Sequence, residues 1–234
     1  MPIKAVVFDA YGTLFDVSAA ARELALESEN KQFKNCWIKL ATDWRLKQLQ
    51  YTWLRAIMKD HKDFWSVTED GLDWAMEQNG LSFDSELRDQ LLRLYWNLSP
   101  YPEVKKMLQD LKEDGFLTAI LSNGSPQMLG AAVESAGISA VLDAVLSVED
   151  VGVFKPDPLV YELIEKRFGC KRLEVLFVSS NGWDVSAGAG FGFKTVWVNR
   201  SGEPVDRLSA RPLKILETLV SIPKLASSSE LASF

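Results

Sequence analysis

Four short stretches of the chain consist of apolar residues and end on a polar side chain. They read KAVVFD (4–9), FLTAILS (116–122), VLFVSS (175–180) and KTVWVN (194–199). A continuous apolar run of this length is typical of a strand buried on both faces, as in a parallel sheet covered by helices. The pattern therefore predicts a parallel sheet. A shorter run, AVLSV (144–148), predicts one further strand between the second and the third.

Helical patterns lie between these strands. In PEVKKMLQDLKEDG (102–115), apolar residues share one helical stripe, Pro102 stands near the first turn and Gly115 marks the end. The segment PDPLVYELIEKRFG (156–169) repeats this design and ends on Gly169. Strands that alternate with helices predict an α/β fold, and we expect a Rossmann-like core built on a doubly wound parallel sheet.

The first crossover is far longer than its type requires. A connection between parallel strands needs a dozen or more residues, whereas Asp9 and the strand at 116–122 are much further apart. The intervening residues 16–99 are helical in pattern. Within them, DWRLKQLQYTWLRAIM (43–58) carries apolar residues at spacings compatible with one helical face. These residues are Trp44, Leu49, Trp53, Leu54 and Ile57.

The insertion predicts two structural parts. We expect residues 1–15 and 100–224 to form the α/β core domain, and residues 16–99 to form a helical cap domain inserted after the first strand. The final LASSSELASF (225–234) is small and polar, so it is predicted to be a flexible tail.

Composition narrows the possible partners. The formal net charge of -6 argues against a nucleic-acid or anionic-membrane surface, and no stretch is expected to span a membrane or to serve as a signal peptide. The two cysteines, Cys36 and Cys170, are far apart and form no CxxC motif, so no thiolate metal site is predicted. We expect a cytoplasmic protein that acts on a small molecule.

Polar residues follow three of the predicted strands. In open α/β sheets, ligands bind in the crevice at the carboxyl ends of the strands. The residues that this rule brings to one rim are Asp9, Ser122, Asn123, Ser179, Asn181 and Asp184. One aspartate after a strand is often a turn or helix-cap residue, but several polar residues at one rim predict a catalytic site.

Four motifs in this order carry a family resemblance. FDAYGTLFD, LSNG, KPDP and FVSSNGWD resemble the ordered motifs of the haloacid dehalogenase superfamily, and they cover the whole core. Together with DWRLKQLQYTWLR in the predicted cap, they resemble the L-2-haloacid dehalogenases (type II) in particular. This resemblance implies hydrolytic dehalogenation of L-2-haloacids to D-2-hydroxy acids through an aspartyl ester, with inversion of configuration.

Two positions depart from the phosphatase branch of that superfamily. Tyr11 stands where those enzymes have an acidic residue that protonates the leaving group, and Ser180 stands where they have a metal-binding aspartate. Tyrosine is a poor acid at neutral pH, and fewer hard oxygen ligands remain for Mg²⁺. We therefore expect no metal and no cofactor. Two alternatives stay open, namely a Mg²⁺-dependent small-molecule phosphatase of the same superfamily and a non-catalytic protein that binds small acids.

The resemblance assigns roles to the polar residues. Asp9 is expected to be the nucleophile, since a carboxylate out of water can displace a halide. By resemblance, Ser122 and Asn123 bind the substrate, and Arg45 binds the departing halide with Asn123 alongside. Lys155 is expected to neutralise the clustered carboxylates. The catalytic residues implied are Asp9, Thr13, Arg45, Lys155, Ser179, Asn181 and Asp184.

The remaining residues of the predicted site activate water, hold the loops or form the walls around the substrate. Asp184 is the candidate base for ester hydrolysis, and Thr13, Ser179 and Asn181 are expected to tie the loops together. The resemblance places Tyr161 near the substrate carboxylate. The expected apolar walls are Tyr11, Leu49, Phe64 and Trp183. The expected partners are a small 2-haloacid and the halide, and the resemblance implies a homodimer. His61, the only histidine, is predicted to be solvated.

Overall fold

The computed structural model describes residues 1–228 and 231. Its sheet has six parallel strands in the order β3-β2-β1-β4-β5-β6. The strands are β1 (Ala5–Phe8), β2 (Leu117–Ser122), β3 (Ala144–Ser147), β4 (Val175–Ser179), β5 (Lys194–Val198) and β6 (Lys214–Leu216). The chain adds strands on one side of β1 and then on the other, so the strand order reverses between β1 and β4. A ligand crevice is expected at that point.

The helices surround this sheet and form the insertion. They are α1 (Ala19–Glu27), α2 (Lys31–Met58), α3 (Phe64–Gln78), α4 (Ser85–Trp96), α5 (Val104–Glu113), α6 (Pro126–Ser135), α7 (Pro158–Phe168), α8 (Gly182–Phe191) and α9 (Ile222–Ala226). Helices α5 and α7 contact β2, α6 contacts β3, and α8 contacts β4 and β5. The predicted α/β fold with a doubly wound parallel sheet is confirmed.

Local signals place the helix ends that border the sheet. The side chain of Ser125 caps α6 by accepting a hydrogen bond from the Met128 N–H. The side chain of Asp157 caps α7 by accepting a hydrogen bond from the Leu159 N–H. Both helices have proline in the first turn. Gly169 ends α7 in the left-handed conformation at φ 63°. Helices α6 and α7 therefore each begin at a defined residue.

All five predicted strands are present, and the sixth was missed. Strand β6 is three residues long, lies at the sheet edge, and leaves Ile215 45% exposed. An edge strand that buries so little has no continuous apolar run in its sequence. Among the described residues, no helix is long and apolar enough to cross a membrane.

The four helices α1 to α4 all lie inside the predicted insertion. The two connecting segments run side by side, because the Asp16 N–H donates to the Ser99 carbonyl oxygen (3.0 Å) and the Tyr101 N–H donates to that of Leu14 (2.9 Å). The division into a core and a cap at these segments stays a prediction. Helix α9 ends two residues inside the predicted tail, while residues 229, 230 and 232–234 lie outside the described residues.

The apolar stripe predicted on α2 is wrong for its last turns. The buried residues of α2 are Phe33, Leu40, Trp44, Gln48 and Thr52. By contrast, Leu54 and Ile57 are 44% and 78% exposed. This helix is 28 residues long, and its C-terminal turns carry apolar side chains that helices α1, α3 and α4 leave exposed. An apolar spacing alone does not say which face of a long helix is packed.

Candidate active site

Four of the six polar residues predicted at the strand ends, Asp9, Ser122, Asn123 and Asn181, line one enclosed cavity of about 10 Å³. It lies at the carboxyl ends of β1, β2 and β4, beneath α2 and the start of α3. Its lining consists of Asp9, Tyr11, Arg45, Leu49, Phe64, Ser122, Asn123, Lys155, Asn181 and Trp183. Each of these is a predicted site residue. The other predicted site residues, Thr13, Tyr161, Ser179 and Asp184, lie outside the lining.

Asp9 continues β1 into the cavity, and three side chains hold its carboxylate. Oδ2 accepts hydrogen bonds from the Thr13 hydroxyl (2.9 Å) and from Asn181 Nδ2 (3.0 Å), and Oδ1 lies 3.2 Å from Lys155 Nζ. The Ser180 N–H in turn donates to Thr13 Oγ1 at 2.7 Å. The carboxylate is therefore fixed in direction while remaining 6% exposed.

The turn after Asp9 depends on a glycine. Gly12 adopts φ +91°, and a Cβ at this position would stand 3.0 Å from Ser180 Oγ. Residues with a side chain rarely adopt this conformation. The turn brings Thr13 back under Asp9, which explains why Gly-Thr follows the nucleophile candidate by a fixed distance.

Lys155 lies between two carboxylates. Its Nζ is 3.2 Å from Asp9 Oδ1 and 2.8 Å from Asp184 Oδ2, and its side chain is 1% exposed. Burial lowers the pKa of Lys155, but the charges of Asp184 and Asp9 outweigh it, so the net pKa is raised. The ammonium is thus held charged at neutral pH.

Asp184 is fully buried behind Lys155. Its Oδ1 accepts a hydrogen bond from the Tyr161 hydroxyl (2.7 Å), and its Oδ2 faces the lysine. Burial raises the pKa of Asp184, and the positive charge of Lys155 lowers it. The negative charge of Asp9 raises this pKa as well, so the pKa of Asp184 is raised overall. A raised pKa makes this carboxylate a stronger base than an exposed one.

Tyr161 lies behind the cavity, beside Asp184. It was expected near the substrate carboxylate, but it is fully buried, its hydroxyl is used by Asp184, and its ring packs against Phe177 and Phe191. Burial raises the pKa of Tyr161 well above its usual value, so the hydroxyl stays a donor. In this structure Tyr161 holds Asp184 and lies outside the cavity lining.

Arg45 extends from α2 to the loops of the core. Its Nη2 donates to the Tyr11 carbonyl oxygen (3.0 Å) and to Asn181 Oδ1 (3.3 Å). Its Nη1 donates to Gln48 Oε1 at 2.8 Å. Gln48 is buried and donates to Thr68 Oγ1 at 2.8 Å. The prediction missed Gln48, although a polar residue three positions after Arg45 on an otherwise apolar face was a usable signal.

Aromatic rings close the apolar side of the cavity. Tyr11 stacks on Tyr95 with centroids 5.8 Å apart, and its ring lies 5.7 Å from that of Phe64. Burial raises the pKa of Tyr11 well above its usual value, so its hydroxyl is neutral at ordinary pH. Trp183 contacts Trp53 edge to face at 5.4 Å. Tyr11, Phe64 and Trp183 therefore form the aromatic wall of the cavity that holds Asp9.

The turn between β2 and α6 presents donors to the cavity. Ser122 Oγ accepts a hydrogen bond from the Gly124 N–H at 3.1 Å, which leaves the hydroxyl proton available to a ligand. Asn123 Oδ1 accepts from the Lys155 N–H at 3.0 Å, so the side-chain amide is oriented. A turn of this kind before a helix suits an anion.

Two polar contacts beside the cavity were not predicted. His61 is not solvated: its Nε2 lies 3.2 Å from Glu149 Oε2 and its ring packs on Phe154. The same glutamate accepts from the Phe64 N–H, which ties this wall to the core. Arg200 donates to the Thr13 carbonyl oxygen (3.1 Å). No local pattern in the sequence marks either contact, because both join distant segments.

The oxygens at this site do not suit a divalent cation. All four carboxylate oxygens of Asp9 and Asp184 accept hydrogen bonds from side chains, and the Tyr11 carbonyl oxygen accepts from Arg45. Mg²⁺ would need such oxygens as ligands. In the described part of the chain, no three His, Cys, Asp or Glu side chains are grouped so that they could hold a metal ion.

Comparisons with known proteins agree with this geometry. A family model described as haloacid dehalogenase-like hydrolase matches residues 3–192. (S)-2-haloacid dehalogenase 1 of Pseudomonas sp. (strain CBS-3) is 41% identical over 224 residues, which cover 96% of each chain. The (S)-2-haloacid dehalogenase of Pseudomonas sp. (strain YL) is 42% identical over 210 residues, which cover 90% of this chain and 88% of the relative.

A solved structure supports the same similarity. The L-2-haloacid dehalogenase from Xanthobacter autotrophicus, with chloropropionic acid covalently bound, superposes with a TM-score of 0.84 at 38% identity. The match covers 95% of this chain and 98% of that one. Sequence and structure therefore point to the same group of proteins.

Proposed function

Since this chain belongs to the L-2-haloacid dehalogenases, within the haloacid dehalogenase-like hydrolases, we propose that it hydrolyses L-2-haloacids to D-2-hydroxy acids. The family inferred from the motifs is confirmed by these relatives. The observation that carries the proposal is the carboxylate of Asp9, aligned by three side chains in an enclosed cavity that also contains the guanidinium of Arg45.

The first step is displacement of the halide by Asp9. One carboxylate oxygen forms a bond to C2 of the substrate as the carbon–halogen bond breaks, and the halogen leaves with the bonding electron pair. Enclosure by the cavity removes bulk water from the nucleophile, and the hydrogen bonds from Thr13 and Asn181 hold the carboxylate in line. This displacement inverts C2 once.

Positive charge and donors hold the two ends of the substrate. Arg45 supplies the charge for the departing halide, with Asn181 beside it at 3.3 Å. The Ser122 hydroxyl and the Asn123 amide line the same cavity and hold the substrate carboxylate. Leu49 and Phe64 form the apolar wall that faces the substrate carbon chain.

The second step is hydrolysis of the aspartyl ester. Water adds to the Asp9 carbonyl carbon, the acyl–oxygen bond breaks, and the 2-hydroxy acid leaves without a second inversion. Esterification removes the charge of Asp9, so the ammonium of Lys155 is left to Asp184 alone. We assign Asp184 as the base for this water because it is the second carboxylate at this point, on the other side of Lys155 from Asp9. Burial raises its pKa in both steps. Ser179 Oγ accepts from the Asn181 N–H and steadies that loop.

The competing reading is a Mg²⁺-dependent phosphatase. It would require the carboxylate oxygens of Asp9 and Asp184 to exchange their present donors for a metal ion. A non-catalytic protein that binds small acids would have little use for three buried charges at one point. The geometry favours neither alternative.

Halide release with both enantiomers of 2-chloropropionate tests the proposal. We expect turnover of the L enantiomer only, D-lactate as the product by chiral chromatography, and the same rate in EDTA. Release that collapses in EDTA and returns with Mg²⁺, together with phosphate release from phosphate esters, would support the phosphatase.

An isotope experiment tests the role of Asp9. In a single turnover with enzyme in excess in ¹⁸O water, the heavy oxygen should enter the peptide of residues 5–17, and the product hydroxyl should carry ordinary oxygen. Label in the product and none in the peptide would mean that water attacks the substrate directly.

We further propose that residues 1–15 and 100–224 form the core, that 16–99 form the cap, and that the protein is a cytoplasmic homodimer. The exposed apolar side chains Ile38 and Leu46 on α2 support an interface between two copies. The net charge of -6 is consistent with a partner that is neither nucleic acid nor membrane. Light scattering on the purified protein tests the dimer, and a monomer mass would refute it.

A further inference from the structure

An open apolar groove adjoins the catalytic cavity. It has a volume of about 750 Å³ and lies between the C-terminal half of α2 and helix α8. Most of its wall is apolar and comes from Trp53, Ala56, Ile57, Trp183, Ala187 and Leu208. Trp183 also lines the catalytic cavity. The groove and the site of chemistry therefore share one wall.

Helix geometry makes the groove a continuation of the cavity. Arg45, Leu49, Trp53 and Ile57 recur every four residues on α2, so they lie along one side of the helix. Arg45 and Leu49 line the catalytic cavity, whereas Trp53 and Ile57 line the groove. The distance along the helix from Leu49 to Ile57 is about 12 Å.

Two indoles separate the two spaces. Trp53 and Trp183 meet edge to face, with centroids 5.4 Å apart and planes at 82°. The catalytic cavity of about 10 Å³ has room for about one water molecule. A substrate with a carbon chain must therefore move part of the wall.

The indole of Trp183 is a part of the wall that no hydrogen bond within the described part of the chain restrains. Asp9 and Lys155 are held by ion pairs and hydrogen bonds, and Tyr11 stacks on Tyr95. Trp183 Nε1 is buried, and it has no hydrogen-bond partner among the described residues. Its indole is held by packing, so it can shift without breaking a hydrogen bond.

We propose that this groove binds the alkyl chain of longer 2-haloacids, and that the Trp53–Trp183 pair sets the chain length accepted. The inference rests on the proposed dehalogenation. The chain would run from C2 past Leu49, through the passage that Trp53 and Trp183 close, and on to the apolar side chain of Ile57. No lysine or arginine is among the groove residues, so an unbranched alkyl chain fits better than a chain that ends in a second carboxylate.

The test compares L-2-bromopropionate with L-2-bromooctanoate. The measured quantity is the ratio of kcat/KM for octanoate to that for propionate. Ile57→Ser should lower this ratio about fourfold or more, since each methylene that loses its apolar cover costs about fourfold in affinity. Leu54→Ser is the matched control, because Leu54 is exposed on the same helix and is not a groove residue; the ratio should not change.

Trp53→Ala provides the opposite signal. Removing this indole should open the passage and raise the ratio. Equal ratios for the parent, Ile57→Ser and Leu54→Ser would overturn the proposal, as would a parent enzyme that turns over 2-bromopropionate and not 2-bromooctanoate. Light scattering on each variant checks the assembly, and a ratio that changes only together with the mass would also overturn it.

Binding without chemistry separates this proposal from the proposed function. Titration calorimetry with octanoate and propionate should show tighter binding of octanoate by the parent, with a negative heat-capacity change, and a loss of that advantage in Ile57→Ser. If no halide is released but this pattern holds, the dehalogenase function fails and the groove stands. If halide is released and octanoate binds no better than propionate, the groove is wrong.

Discussion

Lys155→Met tests how strongly one buried ammonium stabilises the fold. At 3.2 and 2.8 Å from Asp9 and Asp184, each pair is worth about 5 to 6 kcal/mol of gross attraction at an effective dielectric constant of about 20. Most of this is offset by the desolvation of the charges. Removing one partner of such a buried group costs about 3 to 5 kcal/mol, because the remaining charge is uncompensated.

We therefore expect urea unfolding at pH 8 to show a loss of about 4 kcal/mol in the free energy of unfolding. This corresponds to a fall in Tm of roughly 10 °C for a chain of this size. Adding Asp184→Asn to the variant should recover part of the loss, because only one buried carboxylate then remains. If Lys155→Met does not fold at pH 8, the double variant is the one to measure.

The loss should depend on pH in a defined direction. Without Lys155, the largest of the factors that lower the pKa of Asp184 is gone and only the Tyr161 hydrogen bond still lowers it, so burial and Asp9 raise that pKa further. A group with a raised pKa in the folded state favours folding at low pH, and this contribution is lost as the pH rises. The difference between the variant and the parent should therefore shrink between pH 8 and pH 5.

Lys194→Met is the matched control. Lys194 is also 1% exposed, but its Nζ donates to the backbone carbonyl oxygens of Met1 and Leu231. Its loss should cost stability by an amount that changes little between pH 5 and pH 8. The reasoning would be refuted if the free energy of unfolding of Lys155→Met lay within about 1 kcal/mol of that of the parent at pH 8. A loss of unfolding free energy that is equal at pH 8 and pH 5 would refute it as well.

Three substitutions probe the reaction itself. Arg45→Ala should lower kcat about a hundredfold or more in a folded protein, and near-normal halide release would remove Arg45 from the site. Tyr161→Phe removes a hydrogen bond that lowers the pKa of Asp184, so the acidic limb of kcat should move to higher pH; an unmoved limb would mean that Asp184 does not titrate in ester hydrolysis. Gln48→Leu leaves Arg45 without its 2.8 Å acceptor and should lower kcat about tenfold, with a normal rate showing that the guanidinium is held without it.

The core and its polar rim could be predicted because they follow from local patterns. An apolar run predicts a buried strand, and the polar residue that ends it must lie at the rim where parallel strands finish. Asp9, Ser122 and Asn181 were found in this way, and the structure places all three in one cavity. The resemblance was needed for Arg45, because no pattern states where helix α2 meets the loops at the strand ends.

The polar contacts that could not be predicted join segments that are distant in the sequence. The bond from Arg200 to the Thr13 carbonyl oxygen and the contact between His61 and Glu149 join positions far apart in the chain. Their side chains belong to residue types that are usually solvated. The exposed position of Ile57 was missed for a related reason, since the spacing of apolar residues carries no information about what covers a helix face.

The position of β1 between β2 and β4 has a consequence for how the chain folds. Ala5 pairs with Leu117 on one side and with Val175 on the other, so the central strand has no partner close to it in sequence. Such distant pairing slows folding. A ribosome that adds about 5 to 20 residues per second needs roughly ten to thirty seconds to reach β4 after it has made β1. The helices α2 and α3 are neighbours in sequence and can pack in that interval, so the strand that carries Asp9 is completed after them.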